Sequence, residues 1–375
     1  MPVVRPRARG AGRLDLRNER SLETGDPSET LLALLASPNV ASKRWAFEQY
    51  DSIVGSRTVR RPESADAAVL ALPEAETAIA LAIDGNGRRV ACDPYLGTVE
   101  AVLECAQNLA CAGAEPLGLT NCLNFGNPEK PHVAWQLDRS TQGLADACEA
   151  LGVPVVGGNV SLYNETAEGP IYPTPVVGMV GELPDPGRSG MIAPDDGDAI
   201  ALVGPLSPSL AGSELAKLRG ELGPGLGAID VAAVAAALDL VRDAVRSGAV
   251  TAAHDISDGG LGCALAELAI AGGVGLSVDL NGLAEASLNG NGPNADADAL
   301  MFGEGPGGIL VCGQRNRLEA LGGPSGVRVI LLGEAGGEEI AIAAGDTTAS
   351  LSVTEAERAW RSLQERLEGA VAHEV

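Results

Sequence analysis

Two paired glycines followed by an amide and a hydroxyl form the cluster best suited to chemistry: Gly157-Gly158-Asn159-Val160-Ser161. An Asn oxygen can ligate a hard cation, and a Ser hydroxyl can hydrogen-bond a phosphate. In extended backbone, residues two apart face the same side, so Asn159 and Ser161 would point together. Val153 to Val156 reads as a short buried strand bounded by turn residues. Gly157 and Gly158 then read as a sharp turn whose N–H groups can approach an anion. The plainer reading is an ordinary strand-to-loop turn, since Gly-Gly-Asn is common turn chemistry. Upstream, Asn121 to Pro131 packs three Asn, one Gly and two Pro into eleven residues. That composition predicts a rigid polar loop at the end of the strand 115–120, where binding loops sit.

Other groups are less pointed. Asp66 and Asp84 flank two expected strands, 67–72 and 78–83, and carboxylates at strand ends suit Mg²⁺. Asp84-Gly85-Asn86-Gly87 reads equally as a hairpin turn. His254, Asp255 and Asp258 invite a catalytic reading, yet no Ser or Cys nucleophile is paired with them. Aspartates capping the helix expected at 261–271, with His254 satisfying backbone groups, is the preferred reading. Lys43 and Arg44 are read as a solvated helix face rather than a phosphate site. Residues 302–307 are read as a flexible glycine loop.

Taken together, LNFGNPEKP (Leu123 to Pro131), GGNVSLYNE (Gly157 to Glu165), YPTPVVGMVG (Tyr172 to Gly181) and HDISDGGLGCALAE (His254 to Glu267) closely resemble one family. It is the second half of the PurL-type synthetase subunit of formylglycinamide ribonucleotide amidotransferase, in the aminoimidazole ribonucleotide synthetase superfamily. The resemblance spans roughly residues 36–365. It implies a two-domain PurM-like α/β (α+β) fold: an N-terminal mixed sheet with helices on one face, then a C-terminal α/β domain. It also implies an ATP- and Mg²⁺-dependent ligase that converts formylglycinamide ribonucleotide to its amidine, with ammonia from a glutaminase partner. By matching positions, Asn121 and Gly158 contact ATP, Asn159 ligates Mg²⁺ and Ser161 contacts the substrate. Two departures stand out. The family usually carries Asp where this chain has Asn121, which keeps the oxygen but loses the charge. The loop 302–307 also lacks the family's usual Ser or Gln and Arg.

The family's catalytic His, in a Ser-Glu-His-Cys-Ser-Tyr-Lys-like segment, belongs to its first half. The three His here, 132, 254 and 373, lie in no such motif. The expectation is a chain with no catalytic residue of its own, inactive without a first-half domain or chain. The glutaminase and a small purine-synthesis subunit are the further partners implied. A nucleotide-binding scaffold without catalysis, or another ATP-using superfamily member, are the rival readings. Association through the first domain is expected, with a first half or as a homodimer. The supposed reason is an exposed edge strand near Ile171 to Val180, with Pro173 and Pro175 marking an edge position or a bulge.

The elements that must position these groups follow from pattern. Asp93-Pro94 signals a helix start, with an Ala-rich helical run from Thr98 to Ala112. Trp135 to Leu151 reads as a second helix. Residues 1–36 read as a flexible arm or linker, with a short helix or turn at 29–36, then 37–185 as the nucleotide-binding domain, 196–345 as the second domain and 346–375 as a closing strand and helix. The boundary is placed in 182–196, which holds three Pro and three Asp. The 375 residues allow two cores. A net charge of −24 repels nucleic acid and anionic membrane. A phosphorylated ligand must therefore be held by metal and backbone N–H groups. Seven cysteines at no metal-ligand spacing read as reduced thiols, and the chain as cytoplasmic.

Overall fold

The computed structural model describes residues 25–167, 169–223, 225–286 and 297–372. The first part contains α1 (Pro27–Leu35), α2 (Arg44–Phe47), β1 (Thr58–Arg60), β2 (Ala68–Leu72), β3 (Thr77–Asp84), α3 (Gly87–Cys92) and α4 (Pro94–Cys111). It continues with β4 (Glu115–Asn124), α5 (Pro131–Leu151), β5 (Val155–Ser161), the short ribbon β6 (Glu165–Thr166) and β7 (Gly169–Pro170), and β8 (Thr174–Leu183). The larger strands form a mixed sheet in the order β1-β2-β3-β8-β4-β5. Only β4 and β5 are parallel, joined by the α5 crossover as parallel strands require.

Helices cover one face of this sheet. On β3 the inward positions are the small ones, Ala78, Ala80 and Ala82, all buried. That lets α4 approach closely. The large side chains point the other way: Leu81 is 39% exposed and Ile83 75%. The expected mixed sheet with helices on one face is thus what the chain forms.

The second sheet follows from β9 (Ala199–Val203), α6 (Glu214–Leu218), α7 (Val231–Ser247), β10 (Ala252–Asp255), α8 (Gly260–Gly272), β11 (Leu276–Asp279), α9 (Asn281–Ala286) and α10 (Ala297–Phe302). It is completed by β12 (Ile309–Gly313), α11 (Arg315–Ser325), β13 (Val329–Ala335), β14 (Glu339–Ala344), β15 (Thr347–Ser352), α12 (Val353–Trp360) and α13 (Leu363–Ala372). Its order is β10-β12-β9-β13-β11-β14-β15. Both faces are covered along β9, β10 and β12, while β11, β14 and β15 alternate buried with exposed or half-buried positions. Along β9, Ile200 and Leu202 enter the core under α1 and α8, while Ala199, Ala201 and Val203 enter the core shared with α4 and α7. Strands buried on both faces read as unbroken apolar runs, as Ala-Ile-Ala-Leu-Val does.

Several expectations need correction. Residues 1–24 of the expected arm lie outside the described residues, and the short helix or turn expected at 29–36 is a capped helix that starts two residues earlier, at Pro27. Asp26 Oδ1 accepts from the Ser28 N–H at 2.9 Å, and Leu31, Leu34 and Leu35 are fully buried. Gly157 and Gly158 make no turn; they lie inside β5, extended and paired with β4. The strand expected at 115–120 runs on to Asn124, so Asn121 is a strand residue. Pro173 and Pro175 mark no edge. Strand β8 is central, hydrogen-bonded to β3 and β4. Its ladder with β3 begins only at Val177, so Pro175, opposite Leu123 of β4, falls past the end of β3. The exposed edge is β5. Asp84-Gly85-Asn86-Gly87 is no hairpin either: Asn86 caps α3, accepting from the Arg88 and Arg89 N–H groups.

Helices α4 and α5 touch through glycine. A Cβ added at Gly143 would stand 2.4 Å from the Tyr95 carbonyl oxygen. Alanine is about 1 kcal/mol better than glycine in a helix interior. Overpacking a tight contact costs roughly 1–3 kcal/mol. The clash is with backbone, so it should win: Gly143→Ala is expected to lower the thermal midpoint by a few degrees. A raised midpoint in a scanning calorimeter would show that the helices part without cost.

Candidate active site

The four residues singled out at first lie side by side on β4 and β5. Asn121 pairs with Gly158, Cys122 with Asn159 and Asn124 with Ser161. Strand alternation then divides them. Asn121 and Gly158 share one face, while Asn159 and Ser161 share the other with Thr120. That second face is the open one, since Thr120 Cγ2 and Ile83 are the side chains nearest Gly178. Gly158 has a steric reason to be glycine. An added Cβ would lie 2.6 Å from Asn121 O and 2.7 Å from Asn121 Oδ1. The amide of Asn121 therefore rests directly over a bare backbone, and a ligand there meets both together.

Asn159 is exposed and Ser161 half-buried. Ser161 is tied to Asn164, whose Nδ2 donates to Ser161 O at 2.8 Å. The loop after β4 packs on the loop after β5. Lys130 Nζ and the Asn127 N–H both donate to Glu165 Oε1, at 2.6 and 3.1 Å. Asn124 Nδ2 donates to Thr174 O at 3.1 Å. Thr174 in turn lines a cleft of about 400 Å³ with Asn39, Lys43, Gly85, Asn86 and Asp258. The β4–β5 residues and this cleft are therefore contiguous. Lys43, read earlier as a solvated face, stands exposed at its rim.

Behind the cleft lies a cluster that sequence reasoning largely missed. His254 Nδ1 meets Asp66 Oδ1 at 2.7 Å, and its Nε2 meets Glu267 Oε2 at 3.3 Å. Asp66 Oδ2 accepts from the Asp255 N–H at 3.0 Å. His254 thus engages carboxylates, not the backbone groups expected of it. The aspartates do not cap α8 either: its N-cap is Gly259, in a left-handed conformation at φ 85°. The Gly259 N–H donates instead to Glu304 Oε1 at 2.8 Å, as does the Glu214 N–H at 2.7 Å. The supposed flexible glycine loop therefore carries a fixed, buried carboxylate. Glu214 accepts from Asn39 Nδ2 at 3.0 Å and from Ser37 Oγ, which ties the N-terminal segment to the second domain.

Burial raises the pKa of Asp84, Glu104 and Asp255 above the usual carboxylate range, and neighbouring carboxylates add to it. Burial also lifts Asp258 to about 6 and Glu304 to about 8. For His254, burial favours the neutral ring, but Asp66 and Glu267 outweigh it and the pKa rises. Asp66, His254 and Asp255 bring one ligand atom each within 4.8 Å of one another. Asp255 Oδ2 is buried with no hydrogen-bond partner. An acceptor left so, among acids, fits a hard cation better than the neutral amide of Asn159 does. Glu104 and Asn108 gave a legible signal: a carboxylate and an amide at i, i+4 spacing inside an apolar helix. Asn108 Nδ2 donates to both oxygens of Asp84 at 3.1 Å. Glu304 gave none.

Residues 64–183 match the family described as AIR synthase related protein, N-terminal domain, and 195–345 match its C-terminal domain. A phosphoribosylformylglycinamidine synthase subunit PurL from Moorella thermoacetica is 43% identical over 96% of this chain and 49% of its own length. The chain thus spans about half of that relative. Among solved structures, PurLQS from Thermotoga maritima aligns with TM-score 0.54 and 26% identity over 78% of this chain and 41% of that one. PurL of the same organism complexed with ATP aligns with TM-score 0.51 and 26% identity over 78% and 40%. Its complex with FGAR gives TM-score 0.70 at 16% identity over 91% and 55%, a likeness of fold alone.

The pH dependence of stability follows from Glu304. Its pKa is near 4.5 when unfolded and about 8 when folded. The folded state therefore holds the proton more tightly, so stability is fullest below pH 4.5 and is lost as pH rises through 8. The thermal midpoint should fall from pH 5 to pH 8.5, and Glu304→Gln, neutral throughout, should flatten that fall. Equal slopes for the two proteins would remove Glu304 from the account.

Proposed function

Because the chain belongs to the AIR synthase related family in both of its domains, we propose that it supplies the second half of a phosphoribosylformylglycinamidine synthase. The observation that carries this is the open face of the first sheet. Ile83 and Leu81 project from it, 75% and 39% exposed, and Asn159 and Ser161 on the edge strand β5 share that face. A face both apolar and chemically equipped is half of a site. Its natural cover is the matching sheet of a first half, or of a second copy of this chain. The site edge is β5, not the segment near Ile171.

In this reading ATP phosphorylates the amide oxygen of formylglycinamide ribonucleotide, and ammonia then displaces the phosphate to give the amidine. Asn121 and Gly158 contact ATP and Ser161 the substrate. Asn159 offers Mg²⁺ one neutral oxygen from an exposed strand, so the ion's remaining ligands must come largely from nucleotide and partner. Bound there, the ion would neutralise phosphoryl charge. The ligase activity belongs to the assembly, with a glutaminase and a small purine-synthesis subunit as its other members, in the cytoplasm. Among the described residues no helix is long and apolar enough to cross a membrane.

The chain alone should form no amidine from ATP, ammonia and formylglycinamide ribonucleotide. Adding a first-half chain should restore turnover, and light scattering should show the two associating. Turnover without a partner, or a clean 37.9 kDa monomer that ignores the first half, would refute the proposal.

A further inference from the structure

Strand β5 ends at Ser161, and the chain then doubles back within three residues. Tyr163 takes a left-handed conformation, φ 61°, which a bulky side chain rarely adopts. Three backbone bonds hold it there: Tyr163 N–H to Gly126 O at 3.0 Å, Asn164 N–H to Phe125 O at 3.1 Å, and Ile171 N–H to Asn164 O at 3.1 Å. Phe125 is fully buried, so the loop is anchored to the core. The strained turn returns the Asn164 side chain to the residue three positions before it.

The Asn164 amide has three acceptors near its nitrogen. Nδ2 lies 2.8 Å from Ser161 O, 3.1 Å from Phe125 O and 3.1 Å from Ser161 Oγ. Two of these are carbonyls, which can only accept, so the nitrogen must face them. An NH₂ group has two hydrogens, and the two carbonyls use both. The Ser161 hydroxyl, not needed as an acceptor for that NH₂, is then placed to donate its own hydrogen to Asn164 Oδ1, 3.3 Å away. What remains on Ser161 Oγ is lone pairs.

We infer that Asn164 is a positioning residue that fixes the Ser161 hydroxyl as a hydrogen-bond acceptor. The substrate atom it meets is therefore an N–H or O–H donor, such as an amide nitrogen, and not a phosphate oxygen. A phosphate would require the hydroxyl to donate, breaking its bond to Asn164 Oδ1. This rests on the function proposed above for the role of Ser161, and it revises the phosphate reading of that hydroxyl.

Two measurements test it. In the chain itself, nuclear magnetic resonance should show the Asn164 side-chain NH₂ protected from solvent exchange. In the assembly with a first half, Ser161→Ala and Asn164→Ala should each raise KM for the amide substrate about tenfold, the effect of one lost hydrogen bond. The double variant should also lie near tenfold, not roughly a hundredfold, because one hydroxyl is being removed or misdirected. KM for ATP should hold in both variants, and the thermal midpoint in Ser161→Ala. Should Asn164→Ala unfold, Asn164→Leu, which can neither donate nor accept at similar volume, should act alike. Rapid exchange, additive effects or an equal rise in both KM values would overturn the inference. An intact assembly with no turnover would refute the functional reading instead, and the exchange measurement would still decide this one.

Discussion

Helix α4 lies between two sheets, and the rest of the structure is arranged to permit that. Of its eighteen residues fifteen are buried, so it has no solvent face on which to place polar groups. A helix in that position should be apolar all round. Instead it carries Glu100, Glu104, Gln107 and Asn108, and each sets a requirement on its surroundings. Glu100 is met by Arg89, Nε to Oε2 at 2.5 Å, while Arg89 Nη1 reaches across to Ala211 O at 2.8 Å. Gln107 accepts from the Gly307 N–H at 2.8 Å. Asn108 holds Asp84. Gln107 directly, and Glu100 through Arg89, thus add polar links between the two domains to the apolar core they share. Breaking one partner of a buried pair leaves an uncompensated charge, which costs far more than the pair contributes.

Close approach to α4 also dictates which face of the first sheet is bare. Alanines on β3 point toward the helix because nothing larger fits, which leaves Ile79, Leu81 and Ile83 for the other side. The usual pattern places large apolar residues inward. Here the inversion is a consequence of packing, and its result is an apolar surface awaiting a cover. Asn159 and Ser161 open onto that same surface.

How much could be read from residue order varies with the kind of signal. The two-domain architecture, the Asp93-Pro94 helix start and most strand positions followed from caps, periodicity and motifs, and the structure agrees. The failures in the first sheet share one cause: local turn chemistry was allowed to outweigh pairing. Gly157-Gly158 looked like a turn because glycine is common in turns. Gly158 must be glycine because Asn121 lies against it from the neighbouring strand, a contact no local pattern records. Pro173 and Pro175 looked like an edge, yet β8 is central and its prolines sit beyond the end of β3. The buried acids show the complementary limit. Asp66 and His254 are 188 positions apart and Glu214 and Glu304 ninety, so only the fold could reveal them as neighbours.

Those acids also bear on how a chain with net charge −24 could serve a phosphorylated ligand. Carboxylates held protonated by burial do not repel an anion as ionised ones would. Asp258 and Glu304, with pKa about 6 and about 8, are poised so that the interior charge near the cleft changes across the neutral range. A cation entering there would displace protons and turn a repulsive interior into an anchor. Lys43 stands at the cleft rim and Asn86 joins the rim to Asp258, Nδ2 to Oδ1 at 3.0 Å. The acidic interior and the neutral β4–β5 site therefore meet a ligand differently. The first needs a cation to accept an anion, while the second can act through backbone, amide and hydroxyl alone.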